Sequence, residues 1–201
     1  MNKLSPEDSD LFFDIFFPLL DFVNHRHKIV PSIENMVRTK EEKGFLNPID
    51  LMKISLKLWE NADNEIDEYI QAATFNDGDN DGRNNDAGSR VAERIEILNS
   101  WKQNRISDKF FVERHLKSGS IFIGGANAVY NVKGLQSSWE EMLWYSKLPT
   151  MLDATLIPFK GVIISDGLAK LSRIIFGPGI RADLKRIYMT AKKNGQIKTA
   201  L

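Results

Sequence analysis

The sequence contains no cysteine. Disulfide bridges, thiolate zinc sites and thiol nucleophiles are therefore excluded, and a reducing compartment is the simpler expectation. Long uncharged apolar runs are also missing. The run from Leu11 to Val23 is interrupted by Asp14 and Asp21, is too short to cross a bilayer, and follows no basic leader. We therefore expect a cytoplasmic protein without a membrane partner, and read this run as a core helix.

A net charge is absent as well, because 27 basic residues balance 27 acidic ones. The distribution along the chain is uneven. Residues 1–72 carry 14 acidic and 8 basic residues, whereas residues 167–201 carry one acidic and eight basic residues. A basic end on an otherwise acidic chain favours an anionic partner, or a charge match within the protein itself.

Known catalytic signatures are missing too. There is no G-x-S-x-G nucleophile elbow, and the glycines do not match a dinucleotide or phosphate loop. We therefore expect no cofactor and favour a protein that is not an enzyme. Asp153 and Asp166, which flank a predicted hairpin, are the catalytic candidates that remain. A structural role is the alternative, since aspartate before Gly167 is typical of a turn.

The first half of the chain has helical periodicity. Ser5-Pro6 and Asn47-Pro48 are helix start signals, since serine or asparagine caps the first turn and proline suits its first position. Further helices are predicted over Ala62–Phe75, Ser89–Asn104 and Ser107–Leu116. The 201 residues fit one domain. We expect a helical part at 1–116 and an antiparallel sheet with a terminal helix at 117–201, together one compact unit.

The second half changes to strand-like periodicity. SIFIGGANAVYNVKGL predicts two strands around a turn, and TMLDATLIPF and GVIIS predict two more. Between these pairs, Ser138 caps a short helix. LSRIIFG adds a strand before a last amphipathic helix over Ile180–Lys193. The fold class is therefore α+β, with an N-terminal helical part followed by an antiparallel β-meander of about five strands and a C-terminal amphipathic helix.

Two segments suggest metal binding. Residues 76–88 form a predicted mobile acidic loop, in which Asp77, Asp79 and Asp81 have the alternation of a calcium-binding loop. The twelfth position is Gly88, where such a loop needs a glutamate, so a solvated loop is the alternative. His25-Arg26-His27 is the second segment, but histidines two apart diverge on a helix. We therefore expect no metal site there, and calcium stays an open question.

The last helix carries the other candidate surface. The residues of this surface are basic or aromatic. Lys170 and Arg173 precede the helix, and the others follow one side of it: Arg181, Lys185, Tyr188 and Lys192. Such a surface suits a nucleic acid or another anion. A solvated amphipathic helix is the alternative reading.

Several motifs together resemble a family of uncharacterised bacterial proteins. They are Ile157-Pro158-Phe159-Lys160-Gly161, the Asp166-Gly167 turn and Phe176-Gly177-Pro178-Gly179-Ile180. The resemblance covers most of the chain except the acidic loop. It implies a bacterial source and a shared fold, and it implies no activity, cofactor or catalytic residue.

These observations favour a non-enzymatic protein-interaction or regulatory module whose partner is another protein. The first alternative is a nucleic-acid-binding accessory protein that uses the basic C-terminal helix. The second is an enzyme with a site near the central hairpin. The sequence leaves self-association open.

Overall fold

The computed structural model describes residues 1–30, 47–76 and 85–201. These residues form two compact units. The β unit comprises Met1–Ser9 and Asn104–Leu201, and the helical unit comprises Asp10–Gln103. The chain therefore passes from one unit to the other after Ser9 and again after Gln103, ahead of the boundary expected after residue 116.

The described residues contain helices first, then strands, then a last helix, so the predicted α+β class is confirmed. The helices are α1 (Pro6–His27), α2 (Pro48–Glu60), α3 (Ala62–Asn76), α4 (Asn85–Asn104), α5 (Trp139–Met142) and α6 (Pro178–Lys193). The strands are β1 (Ile106–Leu116), β2 (Gly119–Ile123), β3 (Val129–Lys133), β4 (Thr150–Phe159), β5 (Val162–Ser165) and β6 (Lys170–Ser172). Of the predicted acidic loop at 76–88, residues 77–84 lie outside the described residues.

Capping side chains begin the helices where the sequence predicts them. The backbone N–H of Asp8 donates to Oγ of Ser5 at 3.1 Å, and that of Ile49 donates to Oδ1 of Asn47 at 3.1 Å. Ser138 and Glu141 form a reciprocal capping box at the start of α5. Each cap satisfies an N–H that the helix itself leaves unpaired.

Aromatic rings fill the core of the helical unit. Phe12 and Phe16 of α1 are stacked with ring centroids 5.1 Å apart, and the ring of Trp101 lies 5.6 Å from that of Phe12. Trp59 stacks on Phe16 at 6.4 Å. Because these rings come from α1, α2 and α4, their burial fixes three helices to one another.

The sheet closes on itself. Its strand order is β1-β2-β3-β5-β4-β6, and β1 also pairs with β4. The pairs β1–β2, β2–β3 and β4–β5 are antiparallel, as a meander requires. The pair β3–β5 is parallel, which the meander expectation did not include. The parallel pair arises because the chain between β3 and β4, including α5, crosses over before β5 returns to β3.

This ring of five strands, with a helix between β3 and β4, has the connectivity of the Greek-key barrel known as the OB-fold. Alternate side chains fill the inside. They include Phe110, Val112, Phe122, Tyr130, Val132, Leu152, Leu156 and Ile163, with Trp139 of α5 packed against them. The barrel interior is thus a packed core.

The helix predicted over Ser107–Leu116 is wrong, because these residues form β1. A bulge between Val112 and Arg114 shifts the register of β1 against β2. The bulge breaks the alternation of apolar and polar residues by which a strand is recognised in sequence. The predicted strand LSRIIFG is also longer than the observed one, since β6 ends at Ser172.

Gly134, just after β3, is a point of close approach. Two hydrogen bonds, both of 3.0 Å, join it to the N-terminal segment. The N–H of Leu4 donates to the carbonyl of Gly134, and the N–H of Gly134 donates to the carbonyl of Asn2. An added Cβ would lie 2.0 Å from the carbonyl oxygen of Ser137 and 2.7 Å from Cα of Ser138. Both neighbours are backbone atoms and cannot rotate away.

Replacing Gly134 by alanine should therefore lower the free energy of unfolding by about 2 kcal/mol or more, because the backbone before α5 must shift. Gly179→Ala in α6 is the matched control, since nothing lies within 4 Å of its added Cβ. Alanine favours a helix, so the control should be neutral or more stable by about 0.5–1 kcal/mol. Urea unfolding of both variants measures the difference, and equal midpoints would contradict this account of Gly134.

Candidate functional site

The helix α6 covers the outer face of β2 and β3. Its buried residues meet outward-facing residues of these strands in one cluster, which comprises Leu184, Tyr188, Ala191, Ile121, Ile123 and Val129. The chain after α6 then adds Lys198, whose N–H donates to the carbonyl of Val129 at 2.8 Å. OB-fold barrels often bind oligonucleotides or oligosaccharides on this face. In this protein the face is occupied by the C-terminal segment of the chain itself.

Three of the predicted anion-binding residues lie on the exposed side of α6. They are Arg181, Lys185 and Lys192. Nε of Arg181 donates to the carbonyl of Phe176 at 2.9 Å, so this side chain also holds the segment that leads into α6. Arg173 is exposed in that segment, and Lys170 is exposed at the start of β6. The structure therefore presents five of the six predicted side chains at the surface.

The sixth residue is Tyr188, and the prediction that it lies at the surface is wrong. It is only 2% exposed. It follows Leu184 by one helical turn and therefore shares the face that packs on the sheet. The guanidinium carbon of Arg114 lies 4.2 Å from the centroid of its ring. Glu113, hydrogen-bonded to Arg114, raises the pKa of that guanidinium and keeps the cation in place. The ring is consequently part of the core.

Tyr188→Ala should destabilise the protein by about 3 kcal/mol, because it removes a buried ring from the cluster under α6. Lys185→Ala, on the exposed side of the same helix, should change the free energy of unfolding by less than about 0.5 kcal/mol. Chemical denaturation followed by circular dichroism compares them. A Tyr188→Ala variant as stable as Lys185→Ala would show that the ring is not buried.

Asp153, one of the two catalytic candidates, lies in a row of alternating charges. On β4 it is directly opposite Lys109 of β1 and Lys170 of β6. Its Oδ1 atom is buried and has no hydrogen-bond partner in the structure. Opposite charges on neighbouring strands stabilise a sheet, which is a structural role for Asp153.

Asp166, the other catalytic candidate, shapes a turn. Its Oδ1 accepts the N–H of Leu168 at 3.1 Å, and Oγ of Ser165 accepts the N–H of Gly167 at 3.1 Å. Gly167 has a φ of 78°, which a side chain would disfavour. The turn chemistry predicted for Asp166-Gly167 is present, and it uses the carboxylate.

The histidine motif at the end of α1 has a structural contact in the helical unit. Nε2 of His27 lies 2.8 Å from Oε1 of Glu65, whose side chain is 2% exposed. Arg26 pairs with Glu68 next to it. Nδ1 of His25 is hydrogen-bonded to the carbonyl of Asp21 at 3.1 Å. The two histidines thus have different partners, because residues two apart on a helix point in different directions.

His115 forms a pair that the sequence analysis missed. Nδ1 of His115 and Oγ of Ser120 are hydrogen-bonded at 2.7 Å, directly across β1 and β2. Imidazole beside a serine hydroxyl is the pairing used for nucleophilic attack. Ser120 is only 3% exposed, however, so a substrate has no access to it. The pair therefore stabilises the hairpin.

Burial lowers the pKa of His115, and the negative charge of Glu140 opposes this effect. The protonated imidazole is thus disfavoured by folding. His115 should contribute stability that is complete above about pH 6.5 and is lost as the pH falls from there toward the lowered pKa. An NMR titration of the His115 ring should give a pKa below about 6.5. A value at or above 6.5 would contradict the burial of this ring.

Trp144 and Tyr145 are the most exposed aromatic pair of the described residues, at 82% and 63%. The N–H of Ser146 donates to the carbonyl of Leu143 at 2.8 Å, so the two aromatics are the central residues of a β-turn. Their rings are 5.8 Å apart and edge-on. Leu143 itself is buried, which fixes the turn to the barrel.

The sequence does not mark this turn. Turn centres usually hold glycine, proline, asparagine, aspartate or serine, which the φ and ψ angles of turns favour. The segment Trp139 to Tyr145 has none of these, and its helix ends at Met142. Large aromatics placed at a turn centre are not required by the turn, so a role outside the fold has to be considered.

Among residues 1–30, 47–76 and 85–201, no group of three or more histidine, aspartate or glutamate side chains could hold a metal ion. Asp77, Asp79 and Asp81, the calcium candidates, lie outside these ranges. No helix in the described part of the chain is long and apolar enough to cross a membrane.

Comparison with known proteins found no match for this chain among protein-family models, curated proteins or solved structures.

Proposed function

We propose that the protein is a non-enzymatic interaction module and that its partner is another protein, bound at the turn that carries Trp144 and Tyr145. The observation that supports this proposal is the exposure of both rings on a turn that does not need them. Tryptophan and tyrosine are enriched among the residues that contribute most to protein–protein affinity. Water contact with two large rings is unfavourable, and a partner would relieve it.

The turn is also well ordered for binding. The capping box of α5 precedes it, the Leu143–Ser146 hydrogen bond closes it, and Leu143 anchors it in the barrel. A turn whose backbone is held in one conformation before association loses less conformational entropy when the partner arrives. Trp144 and Tyr145 therefore have the properties of anchor residues.

Charge indicates the character of the partner. The β unit carries 16 basic and 9 acidic residues, a net charge of +7. Lys147 follows the turn directly. Complementary charge accelerates association and disfavours wrong partners. The partner we propose has an apolar pocket for the two rings, surrounded by acidic groups.

The second candidate function is nucleic-acid binding through α6. Arg181, Lys185 and Lys192 lie exposed on one side of this helix, which favours it. Tyr188 is buried and cannot stack on a base, and the usual oligonucleotide face of the barrel is covered by α6. The candidate thus depends on phosphate contacts alone.

The test is quantitative capture with cross-linking in the native host. A double variant, Trp144→Ala with Tyr145→Ala, should recover the protein partner at least about tenfold less than the unmodified chain, because it removes both anchors. Leu56→Ala is the matched control, since Leu56 is a 61% exposed hydrophobic residue of α2. This control should recover the same amount of partner as the unmodified chain. Purified partner and protein should then bind directly, with the same dependence on the two aromatics.

Nuclease treatment separates the two functions. Capture that survives nuclease and is lost in the aromatic variant supports the protein partner. Capture that nuclease abolishes, and that Lys185→Ala with Lys192→Ala weakens, supports nucleic acid and should also fall steeply with salt. Equal capture by the aromatic variant and the unmodified chain would show that the proposed surface is not used.

A further inference from the structure

A cleft lies between α1, α3 and α4, within the helical unit. Its volume is about 90 Å³. The lining residues recur at helical spacing along each helix and are Asp14, Ile15, Tyr69, Ile70, Ala73, Val91, Arg94, Ile95 and Leu98. Neither the aromatic turn nor the basic helix contributes to it, so its role is separate from the function proposed above.

The inside of the cleft is apolar. Ile15 and Leu98 are 2% and 3% exposed and belong to the packed core, so they are held in place. Ile70 and Ile95 are half-buried and complete the walls. Ala73 leaves room between them because its side chain is small. Such walls favour the carbon skeleton of a small molecule over water.

The polar groups of the cleft include an ion pair and one aromatic hydroxyl. Nη2 of Arg94 lies 4.0 Å from Oδ2 of Asp14, so the two charges offset each other. Tyr69 is fixed by an edge-on contact with Phe22, with ring centroids 5.5 Å apart. Burial raises the pKa of Tyr69 and the charge of Arg94 opposes this rise, so the hydroxyl stays protonated at neutral pH and can donate a hydrogen bond.

We propose that this cleft binds a small uncharged amphiphile with an apolar ring or short branched chain and one hydrogen-bonding group that meets Tyr69. The apolar walls select the skeleton, and the hydroxyl of Tyr69 selects the polar group. The offset charges of Asp14 and Arg94 give no net attraction for an ion. The enclosed volume is smaller than the cavity of about 150 Å³ that holds benzene, so a six-membered ring would lie partly in the open mouth of the cleft.

The proposal is tested by NMR of isoleucine methyl groups, with p-cresol as the probe and toluene as the probe without a hydroxyl. Addition of p-cresol should shift the methyl signals of Ile15, Ile70 and Ile95 with a Kd of about 1 mM, as expected for so few heavy atoms. The signal of Ile49, an exposed residue of α2, should not move. Toluene should bind more weakly. Absence of shifts at about 10 mM p-cresol, some tenfold above that Kd, would overturn the proposal.

Two variants make the test specific. Ala73→Leu fills the cleft and should abolish the shifts, whereas Ala92→Leu, on the exposed side of α4, should leave them unchanged. Tyr69→Phe should remove the preference for p-cresol over toluene and keep the binding of toluene. Shifts that persist in a folded Ala73→Leu variant would overturn the proposal. If Ala73→Leu does not fold, Tyr69→Phe decides, and an unchanged preference for p-cresol counts against the site.

Discussion

The double pairing of β1 is the constraint on which the β unit depends. Its N-terminal part pairs with β4 and its C-terminal part with β2, and the bulge between Val112 and Arg114 lies near the change of partner. A bulge bends a strand and increases its twist, which lets one strand belong to two sides of a ring. Without this double pairing, β1 and one of the strands β2 and β4 would be edges of an open sheet. With it, alternate residues of every barrel strand point into one shared core, and α5 packs Trp139 against that core.

This constraint also explains how far the sequence can be interpreted alone. Helix starts were predictable because caps are local, and Ser5, Asn47 and Ser138 act within three residues of themselves. The strands from β2 to β5 were predictable because turn-forming residues bound short segments rich in apolar and β-branched residues. The strand β1 was not, since its bulge is required only by partners far along the chain. The prediction that Tyr188 is a surface residue was wrong for a related reason. The strands β2 and β3 determine how much of α6 is buried, and the sequence of the helix alone does not show this.

The candidate site separates residues that the fold explains from residues that it does not. Asp153 lies in a charge row, Asp166 shapes a turn and His27 contacts a buried carboxylate, so each has a structural function. The covering of β2 and β3 by α6 removes the face on which an OB-fold barrel commonly binds its ligands. Fold alone therefore does not supply a function. Trp144 and Tyr145 stand apart because no contact in the barrel needs them at the surface, and exposed aromatics on a fixed turn could be identified only once the turn was known.

The uneven burial of the indole rings has an optical consequence. All four tryptophans belong to the described residues. Trp59, Trp101 and Trp139 are buried, whereas Trp144 is solvated. Three emit from an apolar interior and one from water, so the long-wavelength edge of the intrinsic fluorescence originates mainly from a single ring. A soluble quencher reaches that ring first, and a macromolecule seated on it would shield it. The native chain thus carries its own reporter of occupancy at the turn, without a dye.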